Sequence, residues 1–96
     1  MITVTSLLWI WKGDAAGRWY FITVPEEQSD EIRAEAFGSP RGFGSVRVEA
    51  TIGDVSWRTS VFPLNKGGYL LPVKAEVRRR AGIAAGDEVT VSLELL

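Results

Sequence analysis

Val46, Val48, Ala50 and Ile52 alternate with Arg47, Glu49 and Thr51, and Val89, Val91, Leu93 and Leu95 alternate with Thr90, Ser92 and Glu94. A period of two places one set on a buried face and the other in solvent, so both segments are half-buried strands. Val46, Val48, Val89, Val91 and Leu93 are expected to point inward, and Arg47, Glu49, Thr90 and Ser92 outward. Residues 2–11 and 19–24, rich in β-branched and aromatic types, read as two further strands, which Pro25 closes. Gly53-Asp54 is spaced as a two-residue hairpin turn before a strand over 55–62, and Tyr69 to Leu71 form a short sixth strand.

Two segments follow the helical period instead. "PEEQSDEIRAEAF" has acids first, helix formers next and Gly38 after the last apolar residue, which predicts a helix over 27–37. Pro72 stands where a second helix can begin, and Val73, Val77 and Ala81 share one of its faces. Gly82 ends it as a left-handed cap with Ile83 packing back onto the last turn. The chain then divides into two similar halves. "WYFITVP", a helix and "SVRVEATI" parallel "GGYLLP", a helix and "EVTVSLEL". Each half leaves a sheet edge and an apolar face uncovered, so two halves close on one another. The expected fold is mainly β: a small six-stranded barrel of double-split type, closed or partly open, with pseudo-two-fold symmetry and two short helices.

"GRWYFITVP", "RGFGSVRVEATIGD", "SVFPLNKGG" and "KGGYLLPVKAEVRRRAGIAAGDEVTVSLEL" together resemble a bacterial domain-of-unknown-function family across nearly the whole chain. The resemblance implies a barrel similar to the double-split barrels of AbrB and MazE type, with one chain supplying both halves. Some members of that family continue into a YdeI/OmpD-associated bacteriocin-protection domain; this chain ends at Leu96 and resembles the barrel alone. The family brings no catalytic or binding residues that carry over, and it implies a fold more than an activity.

Ninety-six residues fit one domain, and 46% apolar with 24% charged residues is an ordinary globular balance. No stretch reaches the roughly 20 apolar residues of a membrane span, and "MITVTSLLWIWKGD" has no basic segment or cleavage site, so no signal peptide is expected. The absence of cysteine removes disulfides and thiolate metal sites and suits a reducing cytoplasm. With no histidine either, the commonest general base, nucleophile and metal ligand are all missing, and a protein that is not an enzyme is expected. No Asp-rich loop has ligand spacing, so neither a metal nor a cofactor is expected.

Charge supplies the remaining candidates. Arg41, Lys66, Lys74, Arg78 and Arg79 are candidate binding residues. Lys66, Lys74, Arg78, Arg79 and Arg80 against Glu76 give a local excess of four positive charges, which suits phosphate. Five acids against Arg33 between Glu26 and Glu35 give an equal negative excess, and the whole chain carries −1. A two-fold duplex reader needs both helices basic, so nucleic acid is a poor fit. At 100° per residue from an inward Val77, Arg78 and Arg79 should be freely presented, and Arg80 should lay its stem on apolar surface beside Glu76. "RGFGS", Arg41 to Ser45, reads as a turn before a strand, or as a weak anion cradle. Of the four tryptophans, Trp9, Trp11, Trp19 and Trp57, most are expected to fill the barrel, with an aromatic binding surface or a dimer contact through Trp9 and Trp11 as the alternative. The leading functional expectation is a binding module for a protein partner or small ligand, acting as a monomer or weak homodimer. The alternative is a DNA-binding regulator of AbrB-like type using the helix from Lys74 to Arg80.

Overall fold

The computed structural model describes residues 1–12, 17–36 and 44–96. Its elements run β1 (Ile2–Lys12), β2 (Arg18–Val24), α1 (Glu26–Ala36), β3 (Val46–Ile52), β4 (Val55–Pro63), β5 (Tyr69–Pro72), α2 (Ala75–Ala81) and β6 (Glu88–Leu95). The strands close into a six-stranded antiparallel barrel in the order β1-β2-β5-β4-β3-β6. Closure gives every strand a neighbour on each side, so no strand is an outer edge strand.

Exchanging β1, β2, α1 and β3 for β4, β5, α2 and β6 leaves every strand pairing unchanged, which is the pseudo-two-fold relation that the repeat implies. The helices obey it too: α1 packs on β1, and α2 on its counterpart β4. The halves of the repeat therefore begin one strand earlier than the parallel between "WYFITVP" and "GGYLLP" suggests.

Alternation decides the core. Val48, Val89, Val91 and Leu93 are buried, Val46 is half-buried against them, and Arg47 and Thr90 are exposed. Ile32 of α1 and Val77 of α2 complete the interior. Gly53 opens the β3–β4 turn with φ 59°, and Asp54 after it does not have positive φ, which is the type II′ pattern with glycine at the first turn position.

Two expectations change. The same parity that buries Ile2, Val4 and Leu8 turns Trp9 and Trp11 outward, and in β2 it turns Trp19 outward beside a buried Ile22. Trp57 alone of the four is in the core; Trp11 and Trp19 are each about half exposed, at 51% and 56%. The second helix also begins later than Pro72. Pro72 still pairs with Phe21, and the Val73 N–H donates to the Tyr20 carbonyl at 2.9 Å, so the chain stays extended until Lys74. The first helix spans Glu26–Ala36, while its expected stop at Gly38 lies outside the described residues.

Gly82 holds φ 68°. The Ile83 N–H donates to the Arg78 carbonyl and the Gly82 N–H to the Arg79 carbonyl, the two bonds of a Schellman cap. A Cβ at Gly82 would meet nothing within 4 Å, so only backbone strain opposes a side chain. Gly82→Ala is expected to lower stability by about 1 kcal/mol, read as a lower midpoint in a thermal melt. An unchanged midpoint would show that the helix ends differently.

Candidate binding groove and aromatic face

The start of β2 and the start of α2 form a groove of about 330 Å³ lined by Gly17, Arg18, Trp19, Tyr20, Pro72, Val73, Lys74, Ala75 and Arg78. Backbone pairing sets its shape. The Val73-to-Tyr20 hydrogen bond holds the entry to α2 beside β2, and buried Val77 fixes the rotation of the helix. That rotation aims Arg78 at β2. Its guanidinium lies 3.4 Å from the centre of the Tyr20 ring, and its Nη1 donates to the Val73 carbonyl at 2.6 Å.

The expected roles within the arginine run are therefore exchanged. Arg78 is half-buried and anchored, not freely presented, because the flank of the helix next to Val77 faces Tyr20 and not solvent. Arg80 is exposed and keeps its expected partner: its Nη1 lies 3.9 Å from Oε1 of Glu76, a surface pair of little energetic weight. Arg79 is exposed as expected and lies outside the groove.

Lys74 and Arg78 are thus brought together, and Arg18 joins them. Among the described residues the lining carries three cations and no acid. Lys66 is elsewhere, in a hollow with Glu26, Asp30, Arg33, Gly67 and Gly68. Arg41 lies outside the described residues. The two hollows are counterparts in the pseudo-two-fold: each lies between the lead-in to one of β2 and β5 and the start of the helix that follows the other. Their chemistry differs. In the Lys66 hollow two acids offset two bases, and Arg33 already bonds Asp30 at 2.7 Å. An anion gains from the first hollow and little from the second.

Sequence reasoning singled out neither Arg18 nor Tyr20. Aligning the lead-in to β2 with the Lys66 loop, as the repeat invites, is the signal that would have exposed Arg18. Tyr20 needs the helix phase relative to the sheet, which periodicity does not supply.

Beside the groove lies an open, apolar hollow of about 350 Å³ lined by Trp9, Trp11, Trp19, Phe21 and Leu70. Cross-strand pairing builds it: Trp9 opposes Phe21, and Trp11 opposes Trp19. The Trp9 and Phe21 rings are 5.4 Å apart, and the Trp9 indole N–H donates to Thr23 Oγ1 at 2.9 Å. Trp19 belongs to both hollows. Among the described residues no group of three or more acidic side chains could hold a metal ion, and no helix is long and apolar enough to cross a membrane.

A protein-family model described as "Domain of unknown function (DUF1905)" matches residues 5–93, which takes in most of β1 and nearly all of β6. No curated protein matches the chain.

Arg78→Ala removes a ring contact and a hydrogen bond to a partly buried carbonyl, and is expected to cost about 1–2 kcal/mol. Arg79→Ala and Arg80→Ala are expected to stay within about 0.5 kcal/mol, as ordinary surface sites do. Urea melts of the three variants check the order; a larger loss at Arg80 than at Arg78 would contradict the geometry.

Proposed function

The chain belongs to the DUF1905 family, and from that premise we propose that it is a non-enzymatic binding module that takes an anionic group of a protein partner or small ligand in the groove of Arg18, Lys74 and Arg78. One observation carries the reading: among the described residues three cations converge with no acid in the lining, while the pseudo-equivalent hollow is charge-balanced. Trp19 and Tyr20 at the same place favour an anion attached to a flat ring, since rings stack on indole and phenol faces. The carboxylate or phosphate would meet Lys74 and Arg18, the exposed cations, while Arg78 stays on Tyr20 and presents its remaining N–H donors. The absence of histidine and cysteine supports the non-enzymatic part, and the absence of cysteine supports a reducing cytoplasm.

A duplex-binding regulator of AbrB-like type is the second reading, favoured by the exposure of Lys74, Arg79 and Arg80 along α2. The acids of α1 stand at the pseudo-equivalent position and weigh against it.

Amide-resolved NMR titrations at about 0.15 M salt with phenyl phosphate, with benzoate and with a random DNA duplex separate the two. The expected result is that both small anions shift the amides of Gly17 to Tyr20 and Lys74 to Arg78, that Lys74→Glu abolishes this, and that the duplex shifts nothing. Submicromolar duplex binding centred on Arg79 and Arg80 would put the regulator first. No shift with either anion would remove the groove reading.

A further inference from the structure

We infer that the groove of Arg18, Lys74 and Arg78 selects the dianionic form of a phosphate monoester over a carboxylate. The inference rests on the anion reading of the groove and narrows it to one ligand class. The three cations belong to three stretches of chain: Arg18 starts β2, Lys74 precedes α2, and Arg78 lies within α2. Donors supplied from three stretches suit the three terminal oxygens of a phosphate, whereas a planar carboxylate offers only two.

Charge is the second reason. Arg78 and Arg33 hold related places in the pseudo-two-fold, each beside a tyrosine that the other half supplies. Arg78 lies 3.4 Å from the centre of the Tyr20 ring, and Arg33 lies 5.9 Å from that of Tyr69. Asp30 neutralises Arg33 at 2.7 Å, whereas Arg78 bonds the uncharged Val73 carbonyl and keeps its full charge. Among the described residues no carboxylate is within ion-pair distance of Arg18, Lys74 or Arg78. A ligand with two negative charges therefore gains about twice the Coulomb attraction of one with a single charge. Tyr20 and Val73 also hold the Arg78 guanidinium in place before a ligand arrives. Less rotamer freedom is then lost when its remaining N–H groups fork onto two oxygens.

The two ligand classes differ in pH response. A phosphate monoester takes its second charge near pH 6, while a carboxylate is already ionised above about pH 5. The groove itself does not titrate in that range. Its ionisable groups are Arg18, Tyr20, Lys74 and Arg78; Lys12 of β1 stands opposite Arg18, and Glu76 of α2 is paired with Arg80. The chain has no histidine, and arginine, lysine and tyrosine titrate above about pH 9. Phosphate binding should thus strengthen as pH rises through about 6, with carboxylate binding level.

Dissociation constants from amide-resolved NMR titrations of the intact chain with phenyl phosphate and with benzoate test this. At about pH 7, phenyl phosphate is expected to bind about tenfold tighter than benzoate. Lowering the pH to about 5.5 should weaken phenyl phosphate about fourfold, as the dianion is lost, and leave benzoate unchanged. Arg78→Lys should narrow the gap between the two ligands, because a point charge replaces the fork. The ring that bears the phosphate can be a nucleotide base or the phenol of a phosphotyrosine. Adenosine 5′-monophosphate and N-acetyl-phosphotyrosine amide, titrated in parallel, identify the source by which of them binds more tightly. Benzoate binding as tightly as phenyl phosphate, or phenyl phosphate binding that does not change with pH, would overturn the inference and leave the anion groove in place. No binding of either anion would remove both.

Discussion

Everything in this molecule depends on the alternation of side chains in a barrel that closes. Once β6 pairs with both β1 and β3, each strand has one face inside and one outside, and a shift of one residue would invert both. The inside is small and filled by Val4, Leu8, Ile22, Val48, Leu71, Val91 and Leu93. No polar side-chain atom is buried there without a partner among the described residues. An interior of that kind holds the fold together and leaves the charged side chains to the outer face and to the hollows beside the helices.

The pseudo-two-fold explains where those hollows are, and its violation explains why only one is of interest. The two corresponding hollows carry Lys74 and Arg78 with Arg18 in one, and Glu26 and Asp30 with Lys66 in the other. One backbone plan thus presents two chemistries, much as one scaffold can carry unrelated sites. Ser29 shows the architecture maintained on the acidic side: fully buried, it donates to the Val24 carbonyl at 3.1 Å and ties α1 to the end of β2. On the basic side Arg78 ties α2 to β2 by its contacts with Tyr20 and Val73.

Much of the fold was legible in the sequence because strand alternation and glycine chemistry are local signals. Val48 and Val91 point inward, Gly53 makes the turn, and Gly82 caps the helix, each as its neighbours in sequence require. Closure followed from the repeat. The site was legible only in part. Lys74 and Arg78 were singled out as charges, but which arginine packs depends on how α2 is rotated against Tyr20, a relation between residues 58 positions apart. The tryptophans were misassigned for a related reason: size suggested a core, whereas parity with Val4 and Leu8 placed Trp9 and Trp11 outside. Parity was available in the sequence and is the stronger constraint, since a strand cannot turn Trp9 inward without turning Leu8 outward.

The central claim is that two hollows equivalent by symmetry differ in their affinity for anions because of the side chains that line them. Soaking crystals of the protein in an anomalously scattering anion such as selenate tests it most directly, because both hollows then report in the same map. The account predicts a peak within hydrogen-bonding distance of Arg18 or Lys74 and none between Glu26, Asp30 and Lys66. Equal peaks in both hollows, or a peak in the acidic one alone, would contradict it.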